Sequence, residues 1–320
     1  MESEKSICFL VYSWDYLDRH ILNFKSISGN PEDFHLCVAR ERCQEIEICD
    51  KSNFSYFFML HKNHKMTCSG QVSQSFWNEY ELFDSKREVV DSLSGHSVLL
   101  RSSANEIQKP LEFISGLSAK NIVTWEDEIK ILGWTSLVGN EFTKREIRQI
   151  SLSKFYEEMD NSFPSLKEMA GEDGKLFIKT RNKFVNFIID INSPHSSEEM
   201  YSFETIPLDS QLIVSSHLDI LSDKKGKLEY RIWVANYNPS SISRYLDYDI
   251  SYPIPKEVHS FAEEFIIHYR DKLPSFYVLD IGLDRNKGPV AIELNGIIAS
   301  GRYAENDFGK FLENIKEKRN

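Results

Sequence analysis

The chain has 320 residues, 41% of them hydrophobic and 27% charged, with a formal net charge of −11. That composition belongs to a folded globular protein with room for two or three packed units, and it excludes intrinsic disorder. The acidic balance argues against duplex nucleic acid as an obligate partner, because such binding runs on Lys and Arg neutralising phosphates.

The opening stretch does not read as a secretory signal: Glu2 and Glu4 precede a short apolar run, and no small-residue cleavage site follows. No apolar run approaches ~18 residues, the length of a membrane-spanning helix. The expected location is the cytoplasm. Residues Ile7 to Tyr12, Phe54 to Leu60 and Ser97 to Leu100 read as buried strands, with helical material around Tyr16 to Phe24, so a small α/β domain is expected over the first 120 residues or so. Cys8, Cys37, Cys43, Cys49 and Cys68 all fall here, and an odd number without a CxxC pair suits a reducing compartment. His61, His64 and Cys68 can be drawn as a metal cluster. A polar loop beside a buried Cys is the plainer reading, since zinc ligands usually come in close pairs.

Residues Thr124 to Met169 read as a polar, mostly helical connection, most periodic from Lys144 to Met159. The pattern then changes. Lys175 to Ile191 reads as a hairpin or pair of strands, Leu212 to Ser215 as a strand, Asp223 to Lys227 as a turn, and Leu228 to Asn236 as the next strand. Pro255 opens a helix over Lys256 to Leu273, with Val258, Phe261, Ala262, Phe265, Ile266 and Tyr269 at helical spacing, and Pro274 stops it.

Phe276 to Ile297 is the stretch richest in chemistry. Two strands flank a loop, Arg285 to Gly288, that carries a hairpin signal. Counting outward from that loop puts Asp280 opposite Glu293. Leu279, Ile281 and Leu283 then share an apolar face with Ile292 and Leu294, while Asp280, Glu293 and Asn295 share the other. Facing carboxylates repel. A hard divalent cation offsets this, and Asp, Glu and Asn are a natural Mg2+ set. The same residues also read as a simply wet face, and a one-residue slip would undo the pairing.

With these residues in hand, the second half resembles an ATP-grasp domain, in particular a divergent clade common in bacterial and phage genomes. The resemblance covers Lys175 to Asp307 and rests on four segments. Phe177-Ile178-Lys179 is similar to the strand whose Lys reaches the nucleotide phosphates. Ile213-Val214-Ser215-Ser216 sits where the family's hinge binds the adenine edge through its backbone. Glu229-Tyr230-Arg231-Ile232-Trp233-Val234 resembles an E-x-R-x-F/W-V strand whose Arg faces the phosphates. Asp280 and Glu293-Leu294-Asn295-Gly296 match the metal-ligand strands, followed by Ser300-Gly301-Arg302-Tyr303. The family's glycine-bearing lid loop has no glycine counterpart in Thr180 to Asn186, where Asn186 is the candidate for a left-handed turn.

The resemblance implies an α/β (α+β) chain: a pre-ATP-grasp α/β domain over residues 1–123, a helical linker with the N-subdomain over 124–210, and the C-subdomain with the metal hairpin over 211–320, the subdomains built on antiparallel sheets. It implies ATP and Mg2+ as cofactors, with Lys179, Lys183, Val214, Ser215, Glu229 and Arg231 binding the nucleotide and Asp280, Glu293 and Asn295 the metal. Lys179 and Arg231 would be catalytic in a carboxylate–amine ligase working through an acyl phosphate on a small-molecule or peptide acceptor. Rival readings are a phosphotransferase on the same scaffold and a non-catalytic nucleotide-binding module. Plainer readings of single residues also stand: Lys179, Arg181 and Lys183 as a solvated strand face, Glu229 and Arg231 as a surface pair, Tyr245 and Tyr303 as packing residues. Arg101, Arg302 and Tyr303 are candidates to shape the acceptor pocket. The chain has no P-loop, because Gly174-Lys175 lacks the preceding Gly and the following Ser or Thr, and it has no GxGxxG.

Overall fold

A computed structural model describes residues 6–12, 54–60, 97–101, 121–122, 133–180, 186–193, 206–245, 253–297, 300–301, 303 and 308–317. The three N-terminal strands expected from the apolar runs form as β1 (Ser6–Tyr12), β2 (Phe54–Leu60) and β3 (Ser97–Arg101), joined by the short β4 (Asn121–Ile122). They pair in the order β2-β1-β3-β4, all parallel. Cys37, Cys43, Cys49, His61, His64 and Cys68 lie outside the described residues.

Contacts divide the chain into two units: one holds residues 1–134, 229–281 and 293–320, the other 135–228 and 282–292. The second unit begins with helix α1 (Asn140–Thr143), strand β5 (Ile147–Ser151), helix α2 (Leu152–Asp160) and helix α3 (Lys167–Ala170). Strands β6 (Lys175–Thr180), β7 (Asn186–Asp190) and β8 (Gln211–Ser216) follow, then the two-residue strands β9 (Ser222–Asp223) and β10 (Gly226–Lys227). The sheet order is β5-β8-β6-β7, antiparallel throughout. Residues Ile147 to Ser151 were expected to be helical and are instead a strand. Tertiary pairing along the whole of β8 overrides the local helical period, and Ile147 and Ile150 suit it. Strand β8 belongs to the same sheet as β5, β6 and β7, so the change of unit falls after Leu228 and not at residue 210. Asn186 is the first residue of β7, in extended backbone, and does not supply a left-handed turn.

Alternation fixes the faces of this sheet. Leu176, Ile178, Ile189, Leu212 and Val214 point into a core closed by Phe155, Phe163 and Met169. The Ser151 hydroxyl caps α2 by accepting from Lys154 N at 3.2 Å. Phe155 and Phe163 meet with ring centroids 5.9 Å apart.

The other unit contributes β11 (Glu229–Ala235), β12 (Asn238–Arg244), helix α4 (Lys256–His268), most of β13 (Phe276–Asp284), the end of β14 (Gly288–Asn295) and helix α5 (Phe308–Glu317). The order is β12-β11-β13-β14. Strands β11 and β12 are joined through Asn236 and Tyr237, both at positive φ (51° and 61°), the two-residue hairpin conformation. A register shift between Trp233 and Val234 leaves Ser240 unpaired. Helix α4 is buried through Val258, Phe261, Ala262, Phe265 and Ile266, the stripe expected from its spacing, and packs on β12. The loop between β13 and β14 closes as expected: Asp284 Oδ1 accepts from the backbone N–H groups of Asn286 and Lys287, both at 2.9 Å, and Gly288 takes φ +68°. A Cβ at Gly282 would stand 2.6 Å from Ile292 Cδ1, so Ile292 lies over the Gly282 side of β13 and not with Ile281 and Leu283 on the other. No helix among the described residues is long and apolar enough to cross a membrane.

Candidate functional site

Strand β11 places Arg231 and Trp233 on one face, two residues apart. Strand β13 places Phe276 and Asp280 on the same face. Helix α5 covers one end of it, with Phe311 edge-on to Trp233 at 5.0 Å and near Phe276 at 6.5 Å, and with Asn314 Nδ2 donating to Ser240 Oγ at 2.7 Å. At the other end stands a buried polar cluster.

Its centre is a fork. Arg231 Nε donates to Asp280 Oδ1 and Arg231 Nη2 to Asp280 Oδ2, each at 2.8 Å. Both residues are almost fully buried, Arg231 at 4% and Asp280 at 3% exposure. Arg231 Nη1 donates to the Gly301 carbonyl and to the Tyr303 hydroxyl, each at 3.3 Å. Burial alone would lower the Arg231 pKa, but the adjoining Asp280 carboxylate more than reverses this and holds it well above its ordinary value. Asn295 Nδ2 donates to Asp280 Oδ2 at 2.9 Å. A carboxylate accepts only, so the amide nitrogen must face Asp280 and Asn295 Oδ1 turns away. Burial pushes the Tyr245 hydroxyl up, against the pull of Arg231, and the charges of Asp280 and Glu293 push it the same way as burial. Glu293, half-buried, stands two residues before Asn295 on β14.

Asp280 and Asn295 thus come together, as expected, although Ile292 on the Gly282 side shows that the simple alternation counted from the loop does not hold along β14. The partner of Asp280 is the unexpected part: it was assigned to a metal with Glu293, and it lies against Arg231. Three of its four lone-pair directions are taken, by Arg231 twice and Asn295 once, and one on Oδ1 is left. Among the described residues no group of three His, Cys, Asp or Glu converges as a metal cage would. The donor chemistry still fits Mg2+, which takes one or two protein carboxylates and fills its octahedron with water and phosphate oxygens. The Asp280, Glu293 and Asn295 side chains carry oxygens of that kind.

In the other unit, the face of the β5-β8-β6-β7 sheet that turns away from the core carries Lys179 and Ser215, while Val214 points into the core. Phe177 and Ile147 pair with Ser215 from either side, and Lys179 pairs with Ile213 and Asn186. Ile188, opposite Phe177, is 41% exposed. The result is a half-open, largely apolar face that also carries the half-buried Lys179. Ser215 is 1% exposed, and its hydroxyl has no hydrogen-bond partner among the described residues. Val214 and Ser215 were expected to offer backbone groups to adenine. They lie instead inside a strand laddered on both sides, so those groups serve the sheet. Glu229 is the first, half-buried residue of β11, and its carbonyl accepts from Tyr245 N at 2.8 Å. Lys183 and Arg302 lie outside the described residues, and of Arg101 only the strand path is described.

Sequence reasoning read Tyr245 and Tyr303 as packing residues, with Tyr303 also a candidate to shape the acceptor pocket, and not as partners of Arg231. For Tyr245 a signal existed: Arg231 pairs with Ser243, so Tyr245, two residues on, shares its face. It was missed because β12 itself was not recognised.

A family model of the ATP-grasp domain, clade family 2, matches residues 142–310, more than half of the chain. No curated protein matches it. Among solved structures it is similar to D-cycloserine synthetase DcsG (TM-score 0.53, 12% identity, 98% of this chain and 100% of that one covered). It is also similar to D-alanyl-alanine synthetase A from Vibrio cholerae (TM-score 0.51, 12% identity, 97% and 94% covered). A third is N5-carboxyaminoimidazole synthase from Aspergillus clavatus in complex with ADP and 5-aminoimidazole ribonucleotide (TM-score 0.54, 11% identity, 98% and 77% covered). At these identities the likeness is one of fold.

Proposed function

The chain belongs to the ATP-grasp family, in its clade family 2, and from that premise we infer that it is an ATP-dependent ligase joining a carboxylate to an amine. The acceptor carboxylate attacks the γ-phosphorus of ATP and ADP departs, leaving an acyl phosphate. The amine then attacks the acyl carbon, phosphate departs, and an amide remains. Such chemistry asks for positioning and charge neutralisation more than for a protein nucleophile.

One observation carries this reading: a buried arginine is fixed by a two-pronged carboxylate that also accepts from a buried amide. Arg231 would meet the γ-phosphoryl oxygens as charge builds on them, and Lys179 would hold the α- and β-phosphates. The apolar face around Phe177, Ile188 and Ile213 would take the adenine ring. The Ser215 hydroxyl would face the ligand in place of the backbone contact first expected of it. Asp280, Glu293 and Asn295 would hold Mg2+, which when bound neutralises phosphate oxygens. An ATP-dependent reaction of this kind suits the cytoplasm.

The experiment is ADP and phosphate release from Mg2+·ATP with pools of small acids, amino acids and short peptides as acceptors. A ligase releases phosphate only when acid and amine are both present, and Arg231→Lys lowers the rate about a hundredfold or more. ADP formation with an acceptor alone, and a phosphorylated product without free phosphate, would show a phosphotransferase instead.

A further inference from the structure

The Arg231 guanidinium is held by more than its carboxylate. Its Cζ lies 4.7 Å from the centre of the Tyr245 ring and 5.2 Å from that of Tyr303, both inside the roughly 6 Å reach of a cation over an aromatic face. The two rings meet edge to face at 5.1 Å, so each braces the other. Tyr303 adds its hydroxyl, which accepts from Nη1 alongside the Gly301 carbonyl.

A guanidinium has five N–H bonds. In Arg231 one on Nε, two on Nη1 and one on Nη2 are engaged, four of the five. The fifth is the second hydrogen of Nη2, the nitrogen whose first hydrogen goes to Asp280 Oδ2. We propose that Tyr245 and Tyr303 are positioning residues for Arg231, a two-ring clamp that fixes the guanidinium so that this one remaining Nη2 hydrogen is presented to an anionic ligand oxygen. The proposal rests on the nucleotide reading above, in which that oxygen belongs to the γ-phosphoryl group.

The arrangement differs from packing in two respects. Packing rings need no polar contact, yet the Tyr303 hydroxyl is spent on the guanidinium. The fork to Asp280 fixes one edge of the guanidinium, and two ring faces meeting Cζ restrict the tilt of its plane as well. A donor fixed in advance costs no reorganisation when charge develops on its partner. Its effect falls on the one phosphate that distinguishes ATP from ADP.

The test is equilibrium binding of Mg2+·ATP and Mg2+·ADP to the full chain, for wild type, Arg231→Lys, Tyr303→Phe, Tyr303→Leu and Tyr245→Leu, each checked for a cooperative thermal transition. The wild type is expected to prefer ATP and Arg231→Lys to lose that preference. Each leucine variant is expected to lower the ATP-to-ADP preference about tenfold while ADP affinity holds within about twofold. Tyr303→Phe keeps the ring and retains most of the preference. Tyr245 is only half-buried, so its leucine variant carries the test if Tyr303→Leu does not fold. Leucine variants that keep the wild-type preference, or that weaken ATP and ADP equally, overturn the clamp while the Arg231 result leaves the nucleotide reading standing. A wild type without preference for ATP overturns that reading and the clamp with it.

Discussion

At the scale of residues the dominant feature is a charge pair taken out of water. Arg231 and Asp280 are each nearly fully buried and share two 2.8 Å bonds. Such a pair contributes little net stability against an apolar replacement of equal volume, because desolvation offsets most of the attraction, but breaking it strands a buried charge. Asp280→Ala is therefore expected to cost about 3–5 kcal/mol in denaturant unfolding, and the Arg231→Met, Asp280→Leu double variant to recover most of that. Additive losses in the double variant would contradict the coupling. The pairing was only half legible in the sequence. The hairpin count brought Asp280 and Asn295 to one face, since alternation is a local rule. That β11 lies next to β13 is long-range and has no sequence signal, so Arg231 and Asp280 were read as two separate ligands.

At the scale of elements, strands with strong apolar patterns declared themselves: Phe54–Leu60, Gln211–Ser216, Glu229–Ala235 and Phe276–Asp284 form where the runs stand. Strand β12 did not. Its sequence, with Pro239 and three serines, has low strand propensity, and its turn is Asn236-Tyr237 where Asn-Gly would have announced a hairpin. Pairing with β11 makes it a strand regardless. Strand β5 was missed because it lies in a stretch with helical period, which its pairing with β8 overrides. The turn after α2 shows how a polar side chain can hold an element against burial. Glu158 accepts from Ser165 N at 2.9 Å and from Ser165 Oγ at 2.6 Å. Burial would raise its pKa, and the two Ser165 bonds more than offset this, so the carboxyl titrates below its ordinary 4.5. A depressed carboxylate stabilises the fold above its unfolded pKa, and that stability is lost as pH falls through the folded value. Thermal unfolding of Glu158→Gln is thus expected below wild type at neutral pH, with the gap narrowing once pH drops under 4.5. A gap of constant size from neutral to acid would contradict the assignment.

At the scale of the molecule, the family was legible because its marks are a sequence of short segments in fixed order. Lys179, Arg231, Asp280, Glu293 and Asn295 lie far apart in the chain and fall on strands of two sheets. The boundary of the units was less legible, because the chain crosses from one to the other four times: near residue 134, near 228, and on entering and leaving the 282–292 hairpin tip. A reading that cuts the chain into successive domains cannot reproduce that. The central claim is that the Asp280–Glu293–Asn295 cluster and Arg231 receive Mg2+·ATP. Calorimetry of ATP binding with and without Mg2+, comparing wild type with Glu293→Gln, tests it most directly. Glu293→Gln keeps the shape and removes one charge. Mg2+-dependent binding by the wild type is expected, weakened at least tenfold in the variant. Equal binding by both proteins, or none by either, would contradict it.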